Sequence, residues 1–129
     1  MQASGRIQEP GELVKVEYKS GRYIGRVVET DGRRMVVSIL AVLKHPEQGN
    51  LHRRFNPDVP LFHERRALAY TEKASVPVED AQPYAGEVPE YKASLKRALE
   101  AELAALDRMK RWAERGLEQL KGLQRDYGF

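Results

Sequence analysis

The 129 residues contain no cysteine, which removes disulfides, thiolate metal ligands, a cysteine nucleophile and cysteine-linked lipid anchors. Long hydrophobic runs are also missing. The longest apolar stretch, Met35 to Leu43, is strand-length and far too short to cross a bilayer. The opening residues, MQASGRIQEPGE, hold no apolar segment, so neither a signal peptide nor direct membrane insertion is expected. Charge of one sign is scarce: 22 Lys/Arg stand against 19 Asp/Glu, a net +3. The first 73 residues carry 13 basic and 9 acidic groups, the remainder 9 and 10. A nucleic-acid binder usually concentrates more positive charge than this. No G-x-S-x-G elbow, P-loop or dinucleotide fingerprint occurs, and no serine has the setting of a nucleophile. An enzyme is not expected, and no cofactor is called for.

What is present is a chain of ordinary globular composition, 41% hydrophobic and 32% charged, long enough for one domain with a real core. After a polar N-terminus (residues 1–10, expected flexible), alternation sets in at Leu13, with Val14, Val16 and Tyr18 on one face. Ser20-Gly21 reads as a turn. Arg22–Glu29 reads as a second strand, with Gly25 marking a bulge or a close backbone approach. Asp31-Gly32 is a strong hairpin signal. Arg34–Leu43, apolar on both faces, reads as a central third strand covered by something beyond the sheet. Arg65–Glu72 is expected as a fourth strand and Ala74–Val78 as a short fifth. The pattern is mainly β with C-terminal α: a small SH3-like barrel over residues 11–78, although an open meander would look the same.

Residues 79–89 read as a linker. From Glu90 to Tyr127 the pattern turns helical, with Pro89 and Glu90 suited to a helix start. Leu95, Leu99, Leu103, Leu106, Met109, Ala113, Leu117, Leu120 and Tyr127 form one apolar stripe with Trp112 at its edge. Such a stripe needs a partner surface, and the third strand is the one expected. One long helix or two antiparallel helices fit. A break between Asp107 and Arg111 would keep the element compact, so two helices packed on the barrel are expected.

The longest irregular stretch, 44–64 (KHPEQGNLHRRFNPDVPLFHE), holds all three histidines and three of the seven prolines. A loop of this length in a compact domain is a site or a packed insert. His45, His52 and His63 have no zinc-like spacing, and no cysteine completes a set, so no metal is assigned. Backbone hydrogen bonding is the more ordinary role for these rings. Arg53 and Arg54 add exposed charge. Arg65 and Arg66, adjacent in a strand, would point to opposite faces, one of them towards the loop. Phe55 and Phe62 are expected to pin the loop. Basic residues interleaved with Tyr18, Tyr23, Phe55, Phe62 and Tyr70 leave a second reading open, a small barrel that stacks single-stranded nucleic acid.

The stretches LAVLKHPEQGNLH (40–52), VPLFHERRALAY (59–70) and GEVPEYKASLKRAL (86–99) resemble the kinase-associated protein B family, as do YKSGRYIG (18–25) and ERGLEQLKGLQRDY (114–127). The resemblance covers nearly the whole chain after residue 10. It implies an SH3-like barrel with added helices and a regulatory role, in which the protein helps a membrane sensor histidine kinase feed the phosphorelay that starts sporulation. It carries no catalytic residues. Members have been described as lipoproteins, whereas this sequence offers no cysteine to acylate, so any membrane association is expected through a partner, with the protein in the cytoplasm at the inner face. The segment from Glu90 onward holds no histidine, which argues against a phosphoryl carrier. The expected partner surface is His45, His52, Arg53, Arg54, His63 and Arg65. Oligomeric state is left open.

Overall fold

The structure, a computed structural model, describes residues 9–129. Most of the expected flexible N-terminus therefore lies outside the described residues. Five strands, β1 (Leu13–Tyr18), β2 (Gly21–Thr30), β3 (Arg34–Lys44), β4 (Lys73–Pro77) and β5 (Ala81–Pro83), form one antiparallel sheet. Its order is β4-β3-β2-β1-β5. A single helix, α1 (Tyr91–Tyr127), follows. The fold is mainly β with C-terminal α.

The alternation of β1 sends Val14 and Val16 into the core, and Tyr23, Val27, Met35, Val37, Ile39 and Val76 join them. The β2–β3 pairing contains register shifts at three places, one of them between Ile24 and Gly25. Each shift adds local twist. The sheet consequently curls until β1 and β4, which are not ladder neighbours, touch, as a barrel-like sheet requires. A side chain at Gly25 would put its Cβ 3.0 Å from the Ser38 carbonyl oxygen, so the bulge needs a residue without one.

Both hairpins exist, with one offset. Asp31 Oδ1 accepts the Arg33 and Arg34 N–H groups at 2.9 Å each, closing the β2–β3 turn. The β1–β2 turn uses Lys19 and Ser20, one residue earlier than the Ser20-Gly21 reading, because Tyr18 pairs with Gly21. Both turn residues have positive φ, 46° and 73°. A two-residue hairpin of this hand demands that conformation. For non-glycine residues it costs on the order of 1 kcal/mol each.

Arg65–Glu72 is not the fourth strand. Its segment 65–69 has no ladder partner and runs as an extended strap. The strap's backbone groups are taken by side chains. Tyr23 Oη accepts the Leu68 N–H at 3.3 Å, and the Tyr91 hydroxyl donates to the Leu68 carbonyl. Glu72 Oε1 accepts the Ala69 N–H at 2.8 Å. Once those groups are satisfied, there is no backbone drive towards pairing. The strand that pairs with β3 on this side is β4, the stretch expected as the fifth. The expected linker 79–89 contains β5, which pairs with Val14–Val16. β5 is an edge strand, where the missing N–H of Pro83 breaks no ladder. Three residues ending in proline carry no periodic signal, so alternation could not show it.

α1 is one continuous helix, and the expected break is absent: Arg111 Nε donates to Asp107 Oδ2 at 2.9 Å across the very turn in question. Glu90 Oε1 accepts the Ala93 N–H at 3.1 Å and caps the start. The chain divides into two compact units, 1–99 and 100–129. Within the first, Tyr91, Leu95 and Ala98 pack against the sheet core. Ser94 fixes the contact. The Val42 N–H of β3 finds its acceptor on the helix, where Ser94 Oγ accepts it at 2.9 Å in a buried position. Within the second unit, every leucine and aromatic side chain is exposed.

Ser94→Ala removes the acceptor and leaves the Val42 N–H buried and unpaired. The expected loss is about 1–3 kcal/mol of unfolding free energy, read from urea denaturation followed by far-UV circular dichroism. Tyr23 and Tyr91 supply a pH test. Burial raises both phenol pKa values above the ordinary 10.0. For Tyr91 the nearby Glu72 charge adds to the rise. A raised folded value means the stabilisation is complete below about pH 10 and is lost as pH rises through the folded value. Ultraviolet titration should show two of the six tyrosines ionising late, together with falling stability.

Candidate functional site

The insert between β3 and the strap is built by a few polar side chains acting where a ladder would otherwise act. Gln48 brackets Arg65: its Oε1 accepts the Arg65 N–H at 2.7 Å and its Nε2 donates to the Arg65 carbonyl at 2.9 Å. Arg65 Nη1 in turn donates to the Glu47 carbonyl at 2.7 Å. Arg65 thus does reach the loop, though its partner is a carbonyl, while Arg66 points outward beside Glu64 at 3.8 Å. Ser20 Oγ accepts the Glu47 N–H at 2.8 Å, so the strained hairpin turn holds the insert's first residues. Gly49 has φ +91° and donates to the His63 carbonyl at 2.8 Å, closing the insert's neck. The Phe62 ring lies so close that a Cβ on Gly49 would be 2.8 Å from it.

The anchors differ from expectation. Phe55 and Phe62 are 67% and 61% exposed, and Pro46, Gly49 and Val59 are the buried residues of the insert. The aromatic rings were the natural choice by size. The turns settle otherwise: Asn50 Oδ1 accepts the His52 and Arg53 N–H groups, and Asn56 Oδ1 accepts that of Asp58. These Asx turns fold the tip back and leave the rings outside.

Among the expected partner-binding residues, His52, Arg53, Arg54 and His63 are exposed, whereas His45 and Arg65 are half-buried. His45 Nδ1 lies 3.0 Å from the Pro46 carbonyl. No group of three His, Asp or Glu side chains able to hold a metal occurs among the described residues. Arg54 forms a two-pronged ion pair with Glu47, at 2.7 and 2.8 Å, and its guanidinium covers the Phe55 ring at 4.8 Å. That pair, chiefly through its hydrogen bond, holds the Glu47 carboxyl below its ordinary value of 4.5. The insert therefore shows the solvent a mixed face: Phe55, Leu61 and Phe62, all more than 60% exposed, beside Arg53 and Arg54. Leu61 was not singled out from sequence, and the alternation of strands offers no rule for loop residues. Tyr23 is buried and Tyr18 half-buried.

Two open clefts adjoin these elements. One of about 400 Å³ lies between Tyr18, Lys19, Pro46, Arg65 and Arg66. A larger one of about 630 Å³ lies between Leu40, Tyr70, Pro89 and Tyr91, with Arg26 at its wall. Neither places a serine or histidine beside a second catalytic group in its lining. Among the described residues, no helix is long and apolar enough to cross a membrane.

A curled five-stranded β-module with an ordered basic and aromatic insert and a C-terminal helix is the class that fold and surface define. The chain belongs to the kinase-associated protein B family, whose model matches residues 18–128. It is 43% identical over 120 residues to the Bacillus subtilis (strain 168) protein named kinase-associated lipoprotein B, covering 92% of this chain and 94% of that one. It is also similar to the crystal structure of kinase-associated protein B from Bacillus cereus, with 40% identity and a TM-score of 0.67. That likeness covers 95% of this chain and all of the other.

Glu47 generates a prediction. Its lowered folded pKa means its contribution is present above about pH 4.5 and is lost as pH falls through the folded value. Arg54 is 57% exposed on its side chain, so solvent screening limits the effect to about 0.5–1 kcal/mol. Amide hydrogen exchange at Gly49 and Arg65, corrected for intrinsic rates, should quicken between pH 5 and pH 3. In Glu47→Gln it should be fast already at pH 5 with no step.

Proposed function

We propose that this protein is a non-catalytic regulator that binds a sensor histidine kinase and promotes its output into the sporulation phosphorelay. It would act in the cytoplasm at the inner face of the membrane. The observation that carries this reading is family membership along almost the whole chain, residues 18–128. The insert supports it by offering a surface of suitable composition. Exposed aromatic and arginine side chains on a rigid scaffold are what protein interfaces concentrate. Phe55, Leu61 and Phe62 supply apolar anchors, and Arg53, Arg54, His52 and His63 supply a polar rim. Arg65 and His45 hold the insert's shape from inside. The mechanism is a bias between kinase conformations: binding one conformer more tightly shifts the population towards it without chemistry on this chain.

The test is direct. The cytoplasmic part of the sensor histidine kinase should co-purify with the protein, and its autophosphorylation rate should rise on addition. Phe55→Ser combined with Leu61→Ser should weaken binding at least about tenfold, with thermal unfolding unchanged because both side chains are exposed. Absence of binding together with an unchanged rate would remove the reading.

A further inference from the structure

We infer that the C-terminal helical unit, Glu100–Phe129, is a self-association element whose apolar face is covered by the same face of a second copy of this chain, in antiparallel two-fold pairing. At 1.5 Å per residue these 30 residues make a rod of about 45 Å. Leu106, Ala113, Leu120 and Tyr127 recur every seven residues, and Met109, Gly116 and Leu123 each follow a member of that series by three. A strict seven-residue repeat keeps one seam turned towards another helix, so the occupant it specifies is helical. Of the twelve charged residues from Glu100 to Tyr127, nine take the three outward positions of that repeat, leaving Glu102, Lys110 and Asp126 on the others.

This face is open within its unit: Leu106 is 48%, Met109 51%, Leu120 64% and Trp112 78% exposed. The eight large apolar side chains from Leu103 to Tyr127 together hold on the order of 900 Å² of accessible surface, against the ~800 Å² per partner of a standard stable interface. A monomer's largest apolar patch is usually only about 300–600 Å².

The face is also self-complementary. Antiparallel pairing puts the small residues Ala113 and Gly116 at the centre, where two backbones approach most closely. It sets Leu106 level with Leu123 of the second copy, and Met109 level with Leu120. Glu102 then lies level with the Tyr127 phenol of the second copy, whereas a parallel pairing would stack Glu102 on its own equivalent and incur like-charge repulsion.

Sedimentation equilibrium at about 50 μM protein should give twice the 14.7 kDa chain mass. Leu106→Glu with Leu120→Glu should give the monomer mass, with the unfolding of the β-sheet unchanged. Arg108→Ala on the outward side should leave the dimer intact. The absence of cysteine makes cross-linking clean. Under oxidation, a mixture of Leu106→Cys and Leu123→Cys chains should form the mixed disulfide in preference to either homodimer. A monomer throughout the concentration range, or a mass unaffected by the double glutamate variant, overturns the inference. Preferential Leu106→Cys self-linking overturns the antiparallel pairing.

Discussion

The first unit depends on a single buried contact, the Val42 N–H donated to the Ser94 hydroxyl. β3 presents the donor, and the helix supplies the acceptor. Ser94 is 1% exposed, so the bond is closed to solvent. With Ser94 fixed, Tyr91 stands one turn earlier and its hydroxyl reaches the Leu68 carbonyl. That bond and the Tyr23 hydroxyl hold the strap, and the strap holds Arg65 against Gln48. The insert that carries the proposed kinase-binding surface thus hangs on a helix–sheet contact well removed from it in sequence.

The insert's polar bonds are unequal in weight. Gln48 satisfies both backbone groups of a half-buried residue, and losing such partners leaves unpaired groups costing about 1–3 kcal/mol each. The Glu47–Arg54 pair has better charge geometry, but Arg54 faces solvent, where an ion pair contributes about 1 kcal/mol or less. Shape therefore comes mainly from Gln48, Ser20 and the tyrosines, while Arg54 is free to serve the surface by lying over Phe55. The positive φ values at Lys19 and Ser20 belong to the same economy, since the strained turn aims Ser20 Oγ at the Glu47 N–H.

Much of the fold was legible in the residues. β1 and the β2–β3 hairpin follow from alternation and Asp31-Gly32, and the bulge at Gly25 appears where a glycine interrupts a strand. RRALAYTE has strand composition but forms a strap, because composition is blind to tyrosine hydroxyls arriving from β2 and α1. β5 leaves no mark in the pattern because three residues give no period. At the candidate site, the location of the insert and the exposure of Arg53 and Arg54 were legible. The burial of Val59 in place of Phe55 and Phe62 was not, because Asx turns choose which side chains face inward regardless of their size.

The sequence by itself determined the strand-forming segments, the helical stripe with its seven-residue repeat, the absence of thiol chemistry and the family. These rest on local periodicity, on composition and on similarity, which need no folding to read. Tertiary structure alone decided that the helix is unbroken, that 65–69 is a strap, and which side of the insert is presented. The strap turns on hydrogen-bond partners more than twenty residues away and the unbroken helix is spanned by an i,i+4 pair, while the insert's presentation turns on the Asx turns at Asn50 and Asn56; a linear pattern cannot say which group will arrive to satisfy a given N–H.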